Sequence, residues 1–291
     1  MKTTIIKTLA SVFFSIFYIS FASAQDESEQ DLGEIAQQVS NPASGLTLLF
    51  VKNELLYFDD ESISDSPQNS TLLQPVIVAP LFGGKYNLIS RTTLQHLSVP
   101  FSANPEDPFD RTNGFGDMNL FALIDPAPKE GGGLISGFGP TFTFPTASDD
   151  VLGSGKFTMG PAGLLFYQAP DYGSFSISSF NIGLIAQTWW TIGGDSDRSS
   201  VTNSSFQYII NYRATPTWQI GMRPTVSVNW EAESGNKLEI PVGIGAGSLF
   251  LLGDTPIQWF IEGEYYVERQ NDFGSDWAII ASLNIALPSL F

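Results

Sequence analysis

The sequence predicts an all-β fold, a closed antiparallel transmembrane β-barrel of about twelve strands. Three observations carry this. The first is the stretch WQIGMRPTVSVNWE (218–231). Trp218, Ile220, Met222, Pro224, Val226, Val228 and Trp230 are apolar, and the residues between them are polar or glycine. Successive strand side chains point to opposite faces, so one face here is apolar over a length that suits a tilted bilayer crossing with an aromatic residue at each interface. The second is composition. Only 15% of the 291 residues are charged, against about 25% in an average soluble chain, while aromatics reach 13%. The third is the connections. The segments 82–85, 169–173, 214–217 and 250–255 are short, and with 125–133, which falls on their side but is itself nine residues, they alternate with the longer or more acidic 58–70, 98–115, 146–155, 191–202, 232–236 and 269–275. Outer-membrane barrels alternate short periplasmic turns with long outer loops in this way.

In chain order, Lys2 and Lys7 precede an apolar run over 9–22 and the small-residue site Ala22-Ser23-Ala24. This predicts a signal peptide over 1–24. Residues 25–45 are then a periplasmic N-terminal segment. Within it Leu32, Ile35, Ala36 and Val39 recur at helical spacing, which leaves a short amphipathic helix and a loose tail both open. The barrel is expected over 46–291, with strands at 46–57, 71–81, 86–97, 116–124, 134–145, 156–168, 174–190, 203–213, 218–231, 237–249, 256–268 and 276–288. No stretch beyond the signal peptide has the eighteen consecutive apolar residues of a spanning helix. Entry into a bilayer therefore requires a closed barrel, which pairs every backbone polar group. An even strand number puts both ends in the periplasm. The chain ends on Phe291, and a last strand with a terminal aromatic resembles the assembly signal that the barrel-assembly machinery reads in bacterial outer-membrane proteins.

The net charge of −17 excludes a basic nucleic-acid footprint. The absence of cysteine excludes disulfides, thiolate metal sites and a cysteine nucleophile. His96 is the one histidine, with Ser98, Ser90 and Asp110 nearby in sequence. A lipase-like hydrolase would need these brought together in space, and no nucleophile motif surrounds any serine. The acidic pairs Asp149-Asp150 and Asp195/Asp197 and the run Asp59-Asp60-Glu61 read as solvated outer loops, with weak divalent binding beside lipopolysaccharide as the alternative. No metal site and no cofactor are expected. The glycines at 131–133 and 243–247 lack the features of a phosphate loop and instead permit bending and leave lumen space.

The polar face of the strands is the candidate site. It contains Arg91, Gln187, Gln207, Asn211, Arg223, Glu239, Glu262 and Glu264. An Arg facing lipid at the midplane would cost about 2–4 kcal/mol, so the alternation predicts Arg223 inside, paired with Glu239 or Glu262. Such pairs either brace the barrel or tune the passage of solute. Twelve strands lie between the filled eight-stranded barrel and the open sixteen-stranded porin. A narrow or partly plugged pore follows.

Four stretches carry a resemblance: NLISR (87–91), GFGDMNLFALIDPAP (114–128), GFGPTFTFPTASDDVLGSGKFTMGPAG (137–163) and NWEAESGNKLEIPVGIGAG (229–247). They resemble the bacterial outer-membrane transporter-like family labelled "putative MetA-pathway of phenol degradation". The resemblance runs from about Asn41 onward and departs over 46–66. It implies a twelve-stranded barrel in a Gram-negative outer membrane and passive transport of small hydrophobic or aromatic solutes. It implies no particular functional residues. The alternative is a non-transporting barrel with a structural or surface-binding role.

Overall fold

The computed structural model describes residues 28–287, apart from 41–45, 59–62, 64–65, 103, 105, 109 and 127–132. The signal peptide, Asp59-Asp60-Glu61 and Phe291 lie outside the described residues. The described chain forms one α-helix, α1 (Ser28–Ser40), and one continuous antiparallel sheet. The strands are β1 (Thr47–Phe58), β2 (Gln68–Leu81), β3 (Tyr86–Val99), β4 (Thr112–Phe115 and Met118–Pro126), β5 (Gly133–Phe144), β6 (Lys156–Gln168), β7 (Phe180–Gly194), β8 (Thr202–Arg213), β9 (Trp218–Met222 and Thr225–Asn229), β10 (Leu238–Leu252), β11 (Thr255–Glu268) and β12 (Ser275–Leu287). Each strand pairs with its sequence neighbours. β1 pairs with β12 from Thr47↔Leu287 to Phe58↔Ser275, so the sheet closes into a twelve-stranded barrel.

The period-two pattern sets which face looks out. Leu134, Phe138 and Ile244 are 71%, 69% and 72% exposed on the outside of the wall. Exposed apolar side chains on this scale are rare on a soluble monomer and are what lipid requires. Aromatics ring both rims. Trp190, Trp230, Trp277 and Tyr57 stand at the long-loop end, with Tyr57 stacked on Trp277 at 3.8 Å between centroids. Phe82, Tyr86, Phe175, Phe180 and Tyr212 stand at the short-turn end. No helix among the described residues is long and apolar enough to cross a membrane.

Three expectations are corrected. The stretch 218–231 is not one unbroken strand. Pro224 has no N–H to give the ladder, and the N–H of Arg223 goes instead to the Glu262 carboxylate at 2.9 Å, so β9 breaks at 223–224. The fourth strand starts earlier than residue 116 and breaks at Gly116-Asp117. The seventh starts at Phe180, not 174. Residues 174–179 instead form a turn in which the hydroxyls of Ser174, Ser176, Ser178 and Ser179 hydrogen-bond one another. That makes 169–179 the longest connection at its end of the barrel among the described residues.

Of the helix and the loose tail left open for residues 25–45, the described residues 28–40 form the helix, α1. The helix sits inside the short-turn end. Ala36 and Val39, 4% and 1% exposed, join an apolar layer made by inward residues from around the wall, among them Leu48, Val76, Ile89, Leu123, Phe166 and Ile209. Burying Val39 and Ala36 contributes a few kcal/mol at about 25 cal/mol per Å². Polar contacts fix the helix in register. Arg213 donates to the Gly33 carbonyl at 3.3 Å, Gln37 to the Ala169 carbonyl at 2.6 Å, and Gln258 to the Ser40 hydroxyl at 2.8 Å. At Gly33 the helix touches the 214–217 turn so closely that a Cβ would lie 2.9 Å from Pro216 Cβ.

Candidate functional site: a lumen closed at one end

Above α1 the inward residues turn from apolar to polar, and the lumen opens in three stages. At the long-loop mouth a cavity of about 490 Å³ is lined by Phe58, Phe101, Phe273 and Glu239. Phe101 meets Phe273 at 5.2 Å and Phe58 at 6.1 Å, both edge-on. Phe273 holds φ at 55°, a left-handed conformation that an L-residue other than Gly rarely adopts.

The central cavity is about 540 Å³, within the range of small-molecule sites. Lys52, Glu54, Arg91, Gln187, Gln207, Glu239 and Glu264 line it. Lys52 Nζ pairs with Glu54 at 2.5 Å, with Glu262 and Glu264 within its electrostatic reach. Thr141 donates to Gln187 at 2.8 Å across the lumen wall.

Below it lies an inner chamber of about 90 Å³, bounded by Val39 and Ser40 of α1. It shares Lys52, Gln74, Arg91, Ile185, Gln207 and Ile280 with the central cavity, so the two adjoin. Arg223, Phe260 and Glu262 are on its wall. The Arg223 guanidinium lies over the Phe260 ring at 4.0 Å. The β10 glycines make room for this. A Cβ on Gly245 or Gly247 would sit 2.7 Å from the Phe260 ring and closer still to a β11 carbonyl. Asn211 supports the guanidinium from below. With its amide oxygen facing Arg223, it accepts from Nε at 3.1 Å and donates to the Ile210 carbonyl.

All eight residues of the predicted polar face thus point inward. Arg91, Gln187, Gln207, Glu239 and Glu264 meet the central cavity, Arg223 and Glu262 meet the inner chamber, and Asn211 underlies Arg223. Of the two expected partners of Arg223, Glu262 accepts its backbone N–H and lies within electrostatic reach of its guanidinium. Glu239 opens on the central cavity and the mouth, where Arg223 does not line the wall. Sequence reasoning missed Lys52, Gln74, Gln95 and Asn119 on the lumen wall. Their strands were placed, but the inner faces of β1 and β2 mix apolar and polar residues, which hid the parity of Lys52 and Gln74.

The long-loop end is tied down over the break in β4. The Asp117 carboxylate accepts from the amides of Ala147 and Ser154 at 3.1 and 2.7 Å, and from the Ser154 hydroxyl at 3.0 Å. Arg198 donates to the carbonyls of Asp150 and Gly153, and Lys156 Nζ to that of Asp195. Loop 145–155 is therefore pinned beside the central cavity, which Ser154 lines. Asp117→Ala removes three bonds to a charged acceptor, each about 1.5–3 kcal/mol in general. We expect the loop of that variant to be cut by added protease at least tenfold faster than wild type while the barrel stays folded.

His96 points outward and packs edge-on against Phe115 at 5.6 Å. Ser98 is engaged by Arg111, and Ser90 donates toward the Ile77 carbonyl. Asp149 and Asp195 cap their own turns. Among the described residues no three potential metal ligands converge.

No protein-family model matches the chain, and no curated protein matches it. Solved structures do. The COG4313 outer membrane channel from Pseudomonas putida F1 superposes with a TM-score of 0.58 over 84% of this chain and 96% of that one, at 16% identity. At that identity the likeness is one of fold. The NanC porin gives a TM-score of 0.47 at 12% identity, over 82% of this chain and 98% of that one. Outer membrane phospholipase A from Escherichia coli gives 0.42 at 13% identity, over 90% and 99%.

Proposed function

We propose that the chain is a passive channel of a Gram-negative outer membrane for small hydrophobic or aromatic solutes. We further propose that it belongs to the phenol-degradation-pathway transporter family that its four sequence stretches resemble. The observation that carries the reading is the three-stage lumen: an aromatic mouth, a polar cavity of about 540 Å³ and a charged inner chamber inside an apolar wall. Its proposed surroundings are outer-membrane lipid and lipopolysaccharide, reached through the barrel-assembly machinery. Arg91, Gln187, Gln207, Asn211, Arg223, Glu239, Glu262 and Glu264 are the proposed solute-facing or supporting residues. The hydroxyl of Ser98 accepts from Arg111 and that of Ser90 donates to the Ile77 carbonyl, so neither is joined to His96, which supports a channel over a lipase-like enzyme.

A second reading has its own support. Helix α1 fills the short-turn end, as a barrel that transports nothing would allow. Planar-bilayer recording with the refolded protein decides between them. The channel reading expects discrete conductance steps whose cation preference falls in Glu264→Gln, because a ring of carboxylates biases a narrow pore toward cations. A folded, inserted barrel with no steps and no flux of an aromatic solute into liposomes would establish the non-transporting reading instead.

A further inference from the structure

The inner chamber is lined by cationic groups that keep buried donors without a hydrogen-bond partner among the described residues. Its wall carries Lys52, Arg91 and Arg223, and Glu262 is the one carboxylate lining it among the described residues. Lys52 is committed to Glu54. Glu262 is committed to the backbone N–H of Arg223, through both oxygens at 2.9 and 3.2 Å. The two guanidinium groups keep unused donors, although Asn211 accepts from Arg223 Nε and Glu262 lies within electrostatic reach of Arg223. Each is stacked on a ring, Arg91 over Phe121 at 4.5 Å and Arg223 over Phe260 at 4.0 Å. Stacking uses the face of the guanidinium and leaves its in-plane donors free for an acceptor. Nε of Arg91 and Nη2 of Arg223 are buried with no hydrogen-bond partner among the described residues. Buried donors are almost always paired, so two orphans on one chamber call for a ligand acceptor.

The rest of the chamber defines the ligand's shape. Its volume of about 90 Å³ is that of roughly three waters, enough for a head group and not for a whole molecule. Phe50, Ile185, Ile209 and Val39 stand beside the arginines, so an apolar body is tolerated next to the head. The body would lie upward in the central cavity, toward the aromatic mouth. Glu54, Asp117, Glu239 and Glu264 line that cavity against Lys52 and Arg91. A dianion passing them meets twice the repulsion of a monoanion, which selects against it.

We propose that the inner chamber is a recognition site for the carboxylate of a small aromatic or apolar monoacid, with Arg91 and Arg223 as its donors. Arginine suits this role because its planar fork matches a carboxylate. The proposal rests on the channel reading only for how the acid arrives; the site itself is testable by binding.

The test is a calorimetric titration of the refolded protein in detergent with sodium benzoate, with benzamide as a neutral analogue of the same shape and phthalate as the dianion. Benzoate is expected to bind at least tenfold more tightly than benzamide and than phthalate. Arg91→Gln and Arg223→Gln should each weaken benzoate by fivefold or more and leave benzamide unchanged. Heat-modifiable mobility on gels reports whether each variant is folded, and Arg223→Lys keeps the charge if the glutamine variant fails to fold. Benzoate binding no tighter than benzamide in the wild type would overturn the proposal without recourse to any variant. Conductance steps in chloride with no benzoate preference reject this site and leave the channel reading standing. Benzoate binding without steps rejects the channel and leaves the site.

Discussion

Deleting residues 28–40 should raise the single-channel conductance of the barrel severalfold. Helix α1 closes the short-turn end by packing Ala36 and Val39 into the apolar layer of Leu48, Val76, Leu123, Phe166 and Ile209. The barrel's own hydrogen bonds run from β1 round to β12 without it, so the wall is expected to survive the deletion. A point variant makes the same test without removing chain. Val39→Asp places a carboxylate where the side chain is 1% exposed. An unpaired buried charge costs several kcal/mol, and about 3 kcal/mol shifts a two-state balance by roughly a hundredfold. The helix should then spend most of its time outside, and recordings should show the large conductance level directly. Wild-type conductance in both variants, with the barrel folded, would mean that ions pass by another route.

Ile244→Arg should destabilise the barrel by about 2–4 kcal/mol in lipid. Ile244 is 72% exposed on the outer wall, in a row with Gly263 and Ile279 across β11 and β12. Glycine at 263 offers no neighbouring side chain along which an arginine could extend. The control is Ser227→Arg on the inner face, where the new side chain enters the central cavity and should cost less than about 1 kcal/mol, as surface changes usually do. Urea unfolding in vesicles of defined thickness measures both. Equal stability of Ile244→Arg and wild type would mean that β10 has its faces assigned the wrong way round.

The strands were legible because lipid imposes a rule that sequence obeys directly: one face apolar, residue after residue, as in Ile220, Met222, Val226 and Val228. The twelve strands follow from that rule, and the alternation of their connections is a second, separate signal. The two strand breaks were only partly legible: Pro224 marks one of them in the sequence, but each also depends on a distant partner. The amide of Arg223 leaves the ladder because Glu262, thirty-nine positions away, offers a carboxylate. Gly116-Asp117 interrupts β4 because Asp117 gathers loop 145–155. The inward location of α1 was only half legible. Its apolar stripe was visible, but a stripe does not say what it packs on. A signal existed in the strands themselves. Leu48, Val76, Ile89 and Leu123 are apolar at inward positions, which a water-filled lumen has no reason to contain and a buried helix requires. The inner face of the candidate site was read from parity, whereas its chemistry lay in details parity does not carry, such as the stacking of Arg91 on Phe121 and of Arg223 on Phe260.

Only residues 41–45 separate the end of α1 from Leu46 at the foot of β1. A helix expelled from the lumen therefore cannot diffuse away. Its local concentration at the vacated mouth is of millimolar order, as for any short tether. Re-entry is a first-order event whose rate does not depend on how much protein is present. In the wild type, with Val39 and Ala36 intact, openings should accordingly be brief and closures frequent, in bursts whose statistics belong to a single molecule. Lengthening the tether with glycine and serine would stretch the open dwell times while leaving the conductance of each opening unchanged.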